Sequence, residues 1–329
     1  MSFQYIEPSG LIDRRGGADR MDWKVSQWIS PWDGKEEMEA GIVGVPLSRS
    51  SISPSAASEA PDAIRSSWRS FTPYDADHDV DLSPMRVRDV GNIRMHTTDI
   101  PRCHQNILRG MGELYERTAV YPRFLPLIVG GDHSITSPSV QAFARHHAGK
   151  AIGLIQFDTH FDVRNLEDGG PSNGTPIRGL LESGVVQGGH VFQIGIHSFA
   201  NVLAYRDYVK EQGITFYTMH QVRKEGLSRI LSDVLHTLNR SVDLIYVTVD
   251  LDVLDLASLP GSPGPSPGGM VSWELFEAVY RLGKEEKVRA LDLVCLDPFR
   301  DVGMLSVKTA AHVLLSFLSG YKVRLDGGK

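Results

Sequence analysis

Along the chain, short runs of consecutive apolar residues alternate with longer stretches in which apolar positions recur every three or four residues. The runs predict strands at Gly41–Val45, Val87–Val90, Leu125–Val129, Ala151–Phe157, Val191–Ile196, Ile214–Tyr217, Leu244–Val249 and Val288–Leu296. Helical spacing falls between them at Ile107–Glu116, Pro138–His147, Val202–Gln212, Gly226–Leu238 and Trp273–Leu282, with a last helix at Val307–Leu318. Strands that are apolar throughout, rather than at alternate positions, are covered on both faces. Their alternation with helices implies βαβ units and a parallel sheet. The pattern leaves open whether such strands close into a barrel or stay as an open sheet. In both architectures ligands gather at the carboxyl ends of the strands.

Composition narrows the classes. The chain has 329 residues, a net charge of −6 and 41% hydrophobic residues. That is ordinary for a globular protein and lacks the basic stripe of a nucleic-acid binder. No apolar run reaches the roughly 18 residues of a membrane span. The segment from Met1 to Arg20 is polar, with Asp13, Arg14 and Arg15, unlike a signal peptide. Two cysteines, Cys103 and Cys295, make no disulfide framework and fit a reducing, cytoplasmic location.

The chemistry sits at three strand ends. Asp158-Thr159-His160-Phe161-Asp162 follows one apolar run and Asp250-Leu251-Asp252 another. Extended strands place alternate side chains on one face, so Asp158, His160 and Asp162 are expected to converge, as are Asp250 and Asp252. A third run ends in Gly130-Gly131-Asp132-His133-Ser134. Burying so many carboxylates without a cation would be prohibitive, so the cluster points to divalent metal. Carboxylate and imidazole without thiolate favour manganese or a similar ion. Two Pro/Gly-rich loops, Leu166–Arg178 and Leu259–Gly269, follow the ligand-bearing strands and read as shaped walls of a site. His146 and His147, at a predicted helix end, read as surface residues interacting with the helix dipole.

These three motifs, in this order, closely resemble the ureohydrolase family of arginases and agmatinases, over about Gly41 to Leu318. The resemblance implies a three-layer α/β/α sandwich with an open, mainly parallel eight-stranded sheet. It also implies one domain over residues 1–329, with residues 1–38 as an N-terminal extension. Six metal ligands are implied: His133, Asp158, His160, Asp162, Asp250 and Asp252. Asp158 and Asp250 would bridge two Mn²⁺ ions, His133 and Asp162 completing one and His160 and Asp252 the other. Such a pair lowers the pKa of a shared water enough to attack an amidine carbon. Glu274 matches the family's substrate-binding glutamate. Family members commonly form homo-oligomers, trimers or hexamers, which act on small-molecule amidines without nucleic acid or membrane.

Within that family, Val45–Ser53, Asp162–Pro176 and Ala310–Leu315 are most similar to the formimidoylglutamases of histidine degradation. That similarity implies hydrolysis of N-formimidoyl-L-glutamate to L-glutamate and formamide; the alternative is an agmatinase or guanidino-acid hydrolase releasing urea. A diacid substrate calls for cationic and amide donors, expected from Arg164, Asn165, Asn173 and Arg178. Asn173 stands where arginases and agmatinases carry a histidine, Cys295 where they carry a glutamate, and Thr159 where alanine is common. Gly261–Pro267 also departs from the family's loop. A binuclear phosphoesterase would need Gly-Asn-His and Gly-His-x-His segments that the chain lacks.

Overall fold

A computed structural model describes residues 4–7, 19 and 21–327. The polar Asp13-Arg14-Arg15 stretch, and much of the expected extension, lie outside the described residues. All eight expected strands form: β1 (Ala40–Val45), β2 (Val87–Ile93), β3 (Leu125–Gly130), β4 (Ile152–Phe157), β5 (Val191–Ile196), β6 (Thr215–Thr218), β7 (Leu244–Asp250) and β8 (Val288–Val294). They pair in parallel in the order β2-β1-β3-β8-β7-β4-β5-β6. Two two-residue segments extend the β2 edge, Ile6–Glu7 antiparallel and Ser30–Pro31 parallel. The sheet is open, not a barrel.

Period-two alternation assigns each strand residue to one of two cores. Leu125, Leu127 and Val129 of β3 pack with Ile64, Leu231, Leu275 and Phe317 from α1 (Ala60–Ser67), α2 (Leu227–Ser241), α3 (Ser272–Lys284) and α4 (Leu305–Leu325). Ile128 of the same strand faces the opposite core, with Met111 and Phe143 from helices Ile100–Thr118 and Thr136–His146. The second face is less apolar: Gln156, Gln193, Thr248 and Asp292 are fully buried there among hydrophobic neighbours.

Helix ends depart from the expected ones where capping decides. Asp99 accepts the backbone N–H of Arg102 at 2.9 Å and Pro101 sits in the first turn, so that helix begins at Ile100 rather than Ile107. The expected loop over Leu166–Arg178 becomes helix from Pro176. Helices Ala60–Ser67 and Met219–Glu225 were not expected from spacing; Thr218 and Gln221 close a capping box at the start of the second.

Candidate metal centre

The expected ligands gather beyond the carboxyl ends of β3, β4 and β7, at the middle of the sheet. Alternation within strands is not what brings them together, because β4 ends at Phe157 and β7 at Asp250. Three aspartates instead turn the chain by accepting the N–H two residues on. Asp132 accepts from Ser134 at 3.0 Å, Asp158 from His160 at 2.5 Å and Asp250 from Asp252 at 2.9 Å. Asp162 then adopts a left-handed backbone, φ 53°, an uncommon conformation outside glycine.

His133 is the centre of the inner cluster. Its Nδ1 lies 3.0 Å from Asp158 Oδ2, 2.7 Å from Asp162 Oδ2 and 3.2 Å from Asp250 Oδ2. Its Nε2 is 2.9 Å from the Thr248 hydroxyl, which orients the ring. An outer cluster forms around His160, whose Nδ1 is 3.5 Å from Asp158 Oδ1 and 3.1 Å from Asp252 Oδ2. Asp158 therefore presents one oxygen to each cluster. Asp250 offers Oδ2 to the inner cluster, while its Oδ1 accepts the Asp252 N–H.

The electrostatics fit a cation. Burial, then the Asp252 and Asp158 charges, push Asp250 well above the carboxylate range; burial and Asp158 bring Asp162 to about 7. Burial opposes ionisation of Asp158 too, but hydrogen bonds from His133 and His160 outweigh it and hold it low. Burial opposes protonation of both histidines, yet their carboxylate neighbours raise His133 well above its ordinary value and His160 to about 12. Among the described residues, two imidazoles are thus the positive partners that the four crowded acids have. Oxygen and nitrogen donors at these positions could hold hard or borderline divalent ions.

Supporting contacts come from residues that spacing does not single out. Gln156 donates to Asp158 Oδ2 at 2.7 Å and is itself held by Gln193, also at 2.7 Å. Thr159 binds the other ligand loop twice: its N–H to Asp252 Oδ1 at 3.1 Å, and its hydroxyl to the Asp252 carbonyl at 2.8 Å. Asn201 takes the Phe161 N–H at 3.0 Å and donates to the Thr159 carbonyl at 3.0 Å. The one available signal was polarity: Gln156, Gln193 and Thr248 interrupt otherwise apolar strand runs.

A cleft of about 140 Å³ opens onto His160, Asp162 and Asp252, with Arg164, Asn173, Asn201, Tyr205, Ser262 and Cys295 in its walls. Both expected wall loops contribute. Asn173 lines the cleft while its side-chain oxygen accepts the Ile52 N–H at 2.9 Å. Cys295 belongs to the second core and also lines the cleft; its thiol is pushed well up by burial and by Asp250 and Asp252. Asn165 borders only an adjoining cavity, and its side chain caps Glu167 N–H at 3.2 Å.

Two expected substrate contacts are corrected. Glu274 does not line the cleft: it sits in the first turn of α3, where its Oε2 accepts the Val271 N–H at 3.0 Å. Arg178 is likewise directed elsewhere, paired with Glu182 at 2.6 Å and stacked on Tyr208. The paired histidines do end a helix, His146 exposed and His147 half-buried. His146 stacks on Tyr115, and His147 packs edge-on against Phe143. Burial lowers both, His147 to about 4.

A family model described as the arginase family matches residues 38–320. The chain belongs to the arginase family. Among arginase-family relatives, the formimidoylglutamase of Halalkalibacterium halodurans is 45% identical over 94% of this chain and 95% of that protein. The Bacillus subtilis formimidoylglutamase is 39% identical over 93% and 94%. A crystal structure of the Bacillus subtilis enzyme superposes with a TM-score of 0.89, at 38% identity, covering 94% of this chain and 95% of that one. At 22% identity, Trypanosoma cruzi formiminoglutamase with Mn²⁺ shares the fold, with a TM-score of 0.82 over 92% of this chain and 99% of that one.

Proposed function

We propose that this chain hydrolyses the C–N bond of N-formimidoyl-L-glutamate, giving L-glutamate and formamide, with two Mn²⁺ ions per chain. The observation that carries the reading is one cleft joining a four-acid, two-histidine cluster to an arginine that no carboxylate of the described residues pairs. Its relatives named formimidoylglutamase support the same assignment.

His133, Asp158, Asp162 and Asp250 would hold one ion, and Asp158, His160 and Asp252 the other. Asp250, beside Asp158, would be shared between the two sites. When bound, the ion pair supplies an activated water and polarises the amidine. Thr248 fixes the ring of His133, while Gln156 and Thr159 fix the carboxylates of Asp158 and Asp252. Water adds its oxygen to the formimidoyl carbon and one proton to the imino nitrogen; the remaining hydroxyl proton passes to the α-nitrogen of glutamate as the C–N bond breaks, leaving formamide. Arg164 and the Asn173 amide face the diacid end of the substrate.

Formamide release from formimidoylglutamate by Mn-loaded protein tests the assignment, beside agmatine, arginine and guanidinobutyrate. Urea from agmatine with no formamide from formimidoylglutamate would sink it. We propose further that the chain works in the cytoplasm as a homo-oligomer. Free cysteines and the exposed side chains of Trp273, Phe299 and Val302 support this, and sedimentation of the purified protein checks the assembly. No described helix is long and apolar enough to cross a membrane.

A further inference from the structure

Arg164 stands out among the cleft residues because its side chain is exposed yet sharply confined. Its backbone N–H donates to the Gly174 carbonyl at 2.8 Å, which lays the Arg164 side chain across the following loop. A Cβ on Gly174 would sit 2.6 Å from Arg164 Cδ and 2.9 Å from its Nε. Gly174 does not have a left-handed backbone, so the conformation itself would tolerate alanine. The missing side chain is space occupied by the arginine. On the other side the guanidinium lies 5.8 Å from the centroid of the Tyr205 ring, within cation–π range. Arg164 and Tyr205 border both the metal cleft and an adjoining cavity of about 770 Å³.

We propose that Gly174 and Tyr205 form a slot that aims the Arg164 guanidinium into the cleft mouth, and that this slot sets the preference for a diacid amidine. The inference rests on the formimidoylglutamate reading and adds two positioning residues to it. A mobile arginine would supply charge alone. Confined between a glycine and a ring, it presents its fork in one direction and loses less freedom when it grips a carboxylate. Because the clash is with the far ends of the Arg164 and Ile52 side chains and not with backbone, a methyl group at position 174 would displace the arginine rather than break the fold.

The test compares Gly174→Ala, Tyr205→Leu and Tyr205→Phe in the Mn-loaded full chain. Two quantities are read: KM and kcat for formimidoylglutamate, and the Kd of glutarate, a dicarboxylate probe, by titration calorimetry. Gly174→Ala and Tyr205→Leu should raise KM and the glutarate Kd by about tenfold, with a smaller fall in kcat. Tyr205→Phe keeps the ring and should stay within about twofold of the parent. A purely structural role would instead lower kcat and thermal stability together and leave the glutarate Kd alone. If the parent releases formamide and both disruptive variants keep its KM and Kd, the slot is overturned while the function stands. If the parent does not hydrolyse formimidoylglutamate but the variants still lose glutarate, the function falls and the carboxylate slot stands.

Discussion

Asp89 and Asp158 are both buried acids of the parallel sheet, and their surroundings are opposite. Asp89, on β2, faces Arg65 of α1, whose Nε and Nη2 each donate to one of its oxygens at 2.8 Å. Asn92, Asp62 and the Gly91 carbonyl take the remaining guanidinium hydrogens. Charge and hydrogen bonds balance within the chain. Around Asp158 the chain gathers three further acids and only two imidazoles, so the balance must come from outside. One region is built to hold its neighbours in place; the other is built to receive an ion.

The contrast breaks most visibly at the bridge. Asp158→Ala should reduce hydrolysis by about a thousandfold or more, because it removes the one carboxylate that reaches both clusters. Metal analysis of the purified variant checks the cause: two ions retained per chain would contradict the bridging role. Arg65→Ala should instead destabilise the fold by roughly 3–5 kcal/mol in urea unfolding, by leaving Asp89 buried and unpaired. Replacing both Arg65 and Asp89 with apolar residues should recover much of that loss. A cost below about 1 kcal/mol for Arg65→Ala would mean the pair is not the closed structural unit described here.

Removing metal separates the two regions without mutation. Chelated protein should be less stable than Mn-saturated protein by about 3–4 kcal/mol for each ion bound at 100 to 1,000 times its dissociation constant. Identical melting of both forms would make the Asp158 cluster structural, like Asp89. The smallest effect comes from His104, packed beside the metal loop with Nε2 3.1 Å from the Ser134 hydroxyl. Burial lowers His104 to about 4 from 6.5. Its unfolded form therefore binds the proton first, so its contribution is complete above pH 6.5 and is lost as pH falls toward 4. The loss should be on the order of 2 kcal/mol, given partial exposure, and His104→Gln should flatten that stretch of the stability–pH curve.

Both regions differ in how far the sequence announces them. Eight parallel strands are legible because each is an uninterrupted apolar run, and the six proposed ligands because Asp and His crowd three strand ends. Their convergence was misattributed to strand alternation: the aspartate turns and the left-handed Asp162 do that work. Arg65 and Asp89 gave no signal, since one arginine in a short polar helix and one aspartate in a strand carry no motif. Glu274 misled because an acid in the first turn of a helix is favoured with or without a substrate. Tyr205 becomes a site residue only through folding, which brings helix Leu203–Glu211 to the cleft that Cys295, just after β8, also lines.

The strand order also dictates when the centre can exist during synthesis. β8, the last strand made, lies in the middle of the sheet, bonded to β3 on one side and β7 on the other. Before Val288–Val294 leaves the ribosome, β1–β3 and β4–β7 have no strand to join them. Asp158, His160 and Asp252 all belong to the later group and can meet early. His133 belongs to the earlier group, so the inner cluster is complete only once the final strand is inserted. A chain stopped short of Val288 should therefore bind at most one ion, a stoichiometry that metal analysis of stalled or truncated chains can count.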